Sequence, residues 1–412
     1  MAGGGLFRHR DFRLLWGGET VSELGSQVSL LAIPLVAVRS LAATPFQMGV
    51  LTAASTVAFL AIGLPAGAWV DRLRRRPVMI IADLGRLLAL GSVPVAYACG
   101  ALGLPQLYLV ALVTGVFTVF FDVAYQSYLP SLVGREHLVE GNAKLTGSAQ
   151  VAQIAGPSLA GGLVQAIGGP YAVAVDAASF LVSATAIGGI RKAEVVPAVP
   201  EEGRPRLRHD IGEGLRYVFG QPVLRAITAT TATSNLFSGV QTAVEVIFLV
   251  TIVHANPAII GLAFAVGGVG GVLAAFVASP MAHRFGGARA TLLSSLAGAG
   301  GLLMPLATPG LGVLLFAAGF FLSSFTTVVY NINQVSFRQR LCPEAMLGRM
   351  NATIRFVVFG VLPIGALAGG AIAASIGLRT TLWMAMGGEA LAGVWLLASP
   401  MRTMKDFPDQ AE

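Results

Sequence analysis

The sequence predicts an all-α integral membrane protein, with twelve transmembrane helices in two pseudo-symmetric six-helix bundles. Three observations predict it. Charged residues make up 11% of the 412-residue chain against 55% hydrophobic, and the mean hydropathy is +0.75. A soluble domain carries roughly 25% charged residues. The apolar residues gather in runs of about 20 to 28, where roughly 20 suffice to cross the hydrocarbon core. The third observation is an internal repeat.

Apolar runs bounded by charge or by Pro/Gly clusters place the spans near 14–38, 46–70, 77–99, 105–130, 142–167, 170–190, 223–252, 257–282, 289–308, 310–337, 348–376 and 378–399. The loops between them alternate in charge. One set carries Arg72, Arg74, Arg75, Arg76, Arg135, Arg191, Lys192, Arg204, Arg206, Arg208, Arg284, Arg289, Arg338, Arg340 and Arg349, and the other only Arg39 and Arg379. Short loops rich in Lys and Arg stay cytoplasmic. Both termini are therefore expected on the cytoplasmic side of a plasma (inner) membrane. The net charge of +7 is then a matter of topology in a lipid bilayer and not of nucleic-acid binding.

No small-residue cleavage site follows the N-terminus, so the first span is expected to be retained. The hydrophilic stretch Arg191 to Pro222 reads as a cytoplasmic linker with a short interfacial helix in HDIGEGLRYVFG. It divides the chain into an N-terminal bundle (1–190), a linker (191–222) and a C-terminal bundle (223–412). The 51 glycines sit largely inside apolar runs, where small residues let membrane helices approach closely. Cys99 and Cys342 fall at opposite membrane faces, so a disulfide between them is not expected, and two cysteines make no metal framework. No G-x-x-x-x-G-K-[ST] stretch is present to bind ATP. Neither a metal nor a cofactor is expected. A membrane enzyme or receptor is disfavoured, because no zinc motif, nucleophile elbow or sizeable soluble domain occurs.

Residues 128–168 and 337–377 align without a gap at an offset of 209: Leu132 with Leu341, Asn142-Ala143 with Asn351-Ala352, Gly161 with Gly370, and Gly168 with Gly377. A second stretch aligns at an offset of 212, matching Gly49 with Gly261 and Arg72 with Arg284. Two six-span halves in the same orientation form a parallel repeat. Such repeats place a substrate site near the midplane between the halves, reached alternately from each side.

The segment Gly67-Ala-Trp-Val-Asp71-Arg72-Leu-Arg-Arg75-Arg76-Pro77 resembles the signature loop of the major facilitator superfamily, with Arg74 where glycine is common. Gly156-Pro157-Ser-Leu-Ala-Gly161-Gly162 resembles the Gly-Pro motif of drug–proton antiporters, with Ala160 replacing one glycine. The opening FRLLWGGETVSELGSQVSLLAIPL and the loop LVGREHLVEGNA resemble the branch of enterobactin exporters and macrolide efflux proteins. The resemblance implies the major facilitator fold. It also implies a conformational latch at Gly67, Asp71, Arg72 and Arg75, in which Asp71 faces the start of span 11 near Gly348. The alternative for the loop arginines is that they only set orientation. In span 5, Pro157 removes a helix hydrogen bond. Gly156 and Gly161 permit a bend and close approach, either as a seal against leak or as a plain kink.

A central Asp, Lys or Arg costs roughly 2.5–3.5 kcal/mol on insertion scales, so such residues usually face a cavity and have partners. Glu19 and Glu23 sit four apart on span 1, Asp83 and Arg86 three apart on span 3, and Asp122 on span 4, with Asp176, Glu245, Arg355 and Glu389 in later spans. At about 1.5 Å rise per residue, Arg86 and Asp122 reach similar depth and can pair. Glu19, nearer the cytoplasmic interface, is expected to be solvated. The repeat sets Asp83, Arg86 and Asp122 opposite Ser295, Gly298 and Asn331, so the charge cluster belongs to the N-terminal half. It suits a proton site or a structural ion pair. In the superfamily spans 1, 4, 7 and 10 line the cavity, which nominates Asn235, Gln241, Glu245, Asn331 and Asn333, with Arg355 beside them, as cavity residues. An acid moved between wet and dry surroundings changes its proton affinity. That nominates Glu23 and Asp122 as proton carriers, supported by Arg86, Asp83 and Glu19. The resemblance thus implies a secondary transporter, exporting an amphipathic small molecule (drug, siderophore or natural product) against protons by alternating access, with a monomer as the default assembly. An importer or lipid translocator on the same scaffold is the alternative.

Overall fold

A computed structural model describes residues 5–70, 72–192, 194 and 207–406, and the regular structure among them is helical. The first half contributes α1 (Arg10–Arg39), α2 (Pro45–Val70), α3 (Arg75–Ala98), α4 (Leu104–Val133), α5 (Leu138–Ile167) and α6 (Gly169–Gly188). The amphipathic linker segment forms α7 (Leu207–Gly220). The second half contributes α8 (Pro222–Thr251), α9 (Pro257–Phe285), α10 (Gly287–Ala297), α11 (Val313–Leu341), α12 (Glu344–Ile376), α13 (Leu378–Leu391) and α14 (Val394–Leu397). The fold is that of a twelve-span membrane bundle.

Nine helices among the described residues are long and apolar enough to cross a membrane. The other three predicted spans depart from a uniform apolar helix for visible reasons. Helix α5 carries Lys144, Gln150 and Gln153, which lower its hydropathy. Span nine begins as α10 and tightens into a 3-10 segment over Gly298–Leu306. Its glycines are poor helix formers, and Pro305 lacks a donor. Span twelve breaks at Ala392-Gly393 between α13 and α14.

The repeat is visible in the backbone. Gly168 ends α5 at φ +84° and Gly377 ends α12 at φ +90°, and each precedes the first residue of the next helix. Only glycine takes that conformation without strain. Matching loop residues thus perform matching turns.

The described residues fall into two compact units, one within Met1–Ala43, Ala54–Glu201 and Asn256–Ala265, the other within Thr44–Ala53, Glu202–Ala255 and Val266–Glu412. Each unit has its own core. In the first, Leu6, Phe12, Leu15, Met79, Phe121 and Tyr128 pack together. In the second, Val218, Leu224, Met350 and Ile354 form one cluster and Ile227, Phe337, Leu396 and Met401 another. Large apolar side chains such as Phe276, Leu88 and Leu30 stand exposed, while Asp83, Arg86 and Asp176 are buried. In lipid this distribution is expected, because tails are as apolar as Leu and the polar groups go inside.

At the arginine-rich end of each unit a carboxylate closes a helix. Glu194 accepts the backbone N–H groups of Arg75 (2.7 Å) and Arg76 (3.2 Å) at the start of α3, and ion-pairs with Arg75 at 3.8 Å. Asp406 accepts the N–H of Gly287 at 3.1 Å at the start of α10. Glu194 and Asp406 are 212 residues apart, as are Arg75 and Gly287. The cap is a feature of the repeat. Arg76 donates to the carbonyls of Ile187 and Gly188 at the end of α6, where a cation also meets the negative end of the helix dipole. In the second unit α7 lies on α12, with Glu213 ion-paired to Arg349 at 2.6 Å and the Tyr217 hydroxyl donating to Leu341.

Candidate functional site

Helices α1, α3, α4 and α6 bring an ion cluster together inside the first unit. Arg86 donates to Asp83 at 2.5 Å, one turn back on α3, and the two residues are 4% and 0% exposed. Asp83 on the same helix is thus a partner of Arg86, where depth arguments allow one with Asp122. The i,i+3 spacing supplies it without any neighbour. The guanidinium lies over the rings of Phe121 (4.4 Å) and Phe180 (4.2 Å), a cation–π sandwich from α4 and α6.

Around this centre stand further acids. Glu19 lies within electrostatic reach of Arg86, Glu23, Asp122 and Asp83. Glu23 and Asp176 are each within reach of Arg86. The Ser179 hydroxyl donates to Asp176 at 3.2 Å, and Gly25 of α1 has no room for a Cβ beside these two. Oε2 of Glu19 and Oδ2 of Asp83 are buried with no hydrogen-bond partner among the described residues. Glu19 is half-buried with its Oε2 shut off from solvent, where its position along span 1 implied a solvated side chain. Its charged neighbours come from α3 and α4 as well as α1, which depth along one helix does not reveal.

The candidates of the second unit separate. Gln241 donates to Glu245 at 2.9 Å, both buried on α8. Asn333 is buried and turns back to the Val329 carbonyl of its own helix at 2.9 Å. Asn235 donates to the Val358 carbonyl at 2.8 Å, tying α8 to α12. Asn331 and Arg355 are exposed. Asn235 and Asn331 also line a cavity of about 50 Å³ together with Ser323 and Glu389. The Ser323 hydroxyl approaches Glu389 at 3.5 Å.

Of the latch residues, Asp71 lies outside the described residues. Arg72 is exposed, Arg75 is held by Glu194, and a Cβ at Gly67 would meet nothing within 4 Å. The span 5 motif is closely packed. Helix α5 runs unbroken through Pro157. A Cβ at Gly156 would collide with Gln27 of α1, and one at Gly161 would lie 3.0 Å from the Cα of Gly261. The aromatic sandwich was not legible in the sequence. Phe121 and Phe180 sit in ordinary apolar runs, and nothing local marks them as partners of Arg86.

A family profile described as transmembrane secretion effector matches residues 4–411. The chain is 25% identical to the MFS-type transporter YfiS of Bacillus subtilis over 90% of this chain and 89% of that one. It is 26% identical to the multidrug efflux pump Tap of Mycolicibacterium fortuitum, over 87% and 88% of the two chains. It is 27% identical to the enterobactin exporter EntS of Escherichia coli, over 83% and 80%. A crystal structure of a bacterial homologue of the iron transporter ferroportin superposes with a TM-score of 0.78 at 16% identity, covering 97% of this chain and 100% of that one. The nucleoside transporter NupG superposes at 0.74 and 12% identity, over 96% and 100%. At such identities these structures establish the fold alone. The chain belongs to the transmembrane secretion effector family of the major facilitator superfamily, and it is a multi-pass membrane transporter of small molecules.

Proposed function

We propose that the protein exports an amphipathic small molecule (drug, siderophore or natural product) in exchange for protons, by alternating access. It resides in the plasma (inner) membrane with both termini in the cytoplasm. The observation that carries the coupling is the acid-rich cluster in which Glu19, Glu23, Asp83 and Asp176 lie within reach of Arg86, with Asp122 within reach of Glu19. Acids outnumber the guanidinium in this cluster, and acids inside a membrane bundle mark proton pathways. Glu23 and Asp122 are the proposed carriers, because they lie on spans 1 and 4, which line the cavity in the superfamily. The efflux functions named for Tap and EntS support the outward direction and the substrate class. The arginine-rich loops support the orientation.

Reconstitution in proteoliposomes with an imposed pH gradient, against a panel of amphipathic compounds, tests the proposal. Export that follows the gradient, stops when it is collapsed, and is lost in Glu23→Gln or Asp122→Asn is expected. Transport indifferent to the gradient would end the antiport reading, and net uptake down the same gradient would favour an importer.

A further inference from the structure

The cavity of the second unit occupies the repeat's counterpart of the N-terminal ion cluster. At the offset of 212, Glu19, Glu23, Asp83 and Arg86 stand opposite Thr231, Asn235, Ser295 and Gly298, and at 209 Asp122 stands opposite Asn331. All five counterparts line the cavity of about 50 Å³. Where the first unit places a guanidinium, the second has a glycine with nothing within 4 Å of its Cβ position. The charged residue on this wall is a carboxylate, Glu389 of α13, and no Lys or Arg lines the cavity. Glu389 also lies within electrostatic reach of Glu245. Neutral residues thus replace those four acids and the guanidinium, and the cavity holds a carboxylate of its own, Glu389, with no cation among its lining residues.

From this geometry we propose that the cavity binds a monovalent alkali-metal cation in the place of the missing guanidinium. The inference goes beyond the export function, which rests on the N-terminal cluster, and its test needs no substrate. The lining supplies oxygen donors from four helices: Thr230 and Thr231 from α8, Ser294 from α10, Ser323 from α11 and Glu389 from α13. Hard cations take oxygen ligands. Thr230 is 2% exposed, and its hydroxyl has no hydrogen-bond partner among the described residues, although it lines the cavity. A buried hydroxyl without a partner costs free energy, and an ion at this place would satisfy it. Size and charge limit the occupant. Drug-sized pockets run to roughly 300–1,000 Å³, far above this volume. A single lining carboxylate balances one positive charge. Among the described residues there is no cluster of three or more His, Cys, Asp or Glu, the donor set that a divalent transition metal would want. Glu389 stands about 16 Å along α13 from its first residue, at 1.5 Å per residue, near mid-depth of its span.

The test is thermal unfolding of the purified full-length protein in NaCl or KCl against choline chloride at equal ionic strength. The wild type is expected to melt several degrees higher in at least one alkali salt, with a saturable concentration dependence. Glu389→Gln removes the charge and is expected to abolish the response. Gly298→Arg supplies the cation from the chain, as Arg86 does in the first unit, and is expected to melt alike in all three salts. If Glu389→Gln fails to fold, Thr230→Val decides: its midpoint is expected at several-fold higher salt. Melting of the wild type that depends on pH but is the same in the three salts would show a protonated acid only and would overturn the proposal. So would a salt response that survives in both Thr230→Val and Gly298→Arg.

Discussion

Gly161 and Gly261 meet backbone to backbone: a Cβ added to either would lie 3.0 Å from the Cα of the other. Gly49 and Gly370 make the same contact at 2.9 Å in the other unit. In the internal repeat Gly161 aligns with Gly370 and Gly49 with Gly261. The two contacts are therefore one contact made twice. Helices this close have no space for a methyl group, and a side chain would have to displace main chain. The antiporter-like motif of span 5 accordingly has a packing role that its counterpart in span 11 shares.

Gly161→Val and Gly370→Val are expected to destabilise the protein by about 1–3 kcal/mol each, the usual cost of overpacking. Gly162→Ala makes the comparison sharp, since a Cβ there would meet nothing within 4 Å. That change should be neutral or slightly stabilising, because Ala is the better helix former. Melting of the purified variants in detergent measures both, and equal losses at 161 and 162 would contradict the close-approach account.

Removing the repeated caps should weaken the starts of α3 and α10. Glu194→Ala and Asp406→Ala are each expected to cost about 1 kcal/mol, the ordinary value of an N-terminal cap. Glu194→Gln keeps an acceptor and should lose less. Hydrogen exchange at Arg75, Arg76 and Gly287 reads the effect locally, and unchanged protection there would refute it.

Arg86→Ala leaves the Asp83 carboxylate buried without its partner. Breaking a buried pair from one side costs about 3–5 kcal/mol, so this variant should melt far below the wild type. Arg86→Lys keeps the charge but loses the flat contact with Phe121 and Phe180, and Lys is no substitute where a guanidinium stacks. An intermediate melting temperature is expected. A wild-type value for Arg86→Ala would show that the ion pair contributes nothing to stability.

The N-terminal segment should undock in acid. Glu140 accepts the N–H of Leu6 at 2.9 Å, with Lys144 at 3.4 Å and His137 at 4.0 Å from the carboxylate. The Leu6 N–H, foremost, and then Lys144 hold its carboxyl below the ordinary glutamate value of 4.5. A group whose pKa is depressed on folding stabilises the folded form above its ordinary value, and that contribution is lost as the pH falls through the lowered one. Proteolytic protection of the segment around Leu6 should therefore hold from neutral pH down to roughly pH 5 and fall below 4.5. Loss of protection between pH 7 and 5 would point to a different group.

The twelve spans and the duplication were legible in the sequence because both are written locally. Hydropathy over some twenty residues decides whether a segment can sit in lipid, and loop residues such as Gly168 and Gly377 mark turns that the backbone must make. The ionisable residues could likewise be picked out one by one, since each is costly in a bilayer wherever it points. What they point at was decided by tertiary structure. Arg86 meets Asp83 through the i,i+3 spacing of α3, but α4 and α6 close over it with two aromatic rings that no spacing rule connects to α3. Glu194 and Asp406 became caps only when the chain after the sixth and the twelfth span returned to the start of the third and the ninth. The cavity beside Glu389 needed four helices to exist at all. Burial is a property of neighbours, and a single chain read in order contains the residues of a site but not the distances between them.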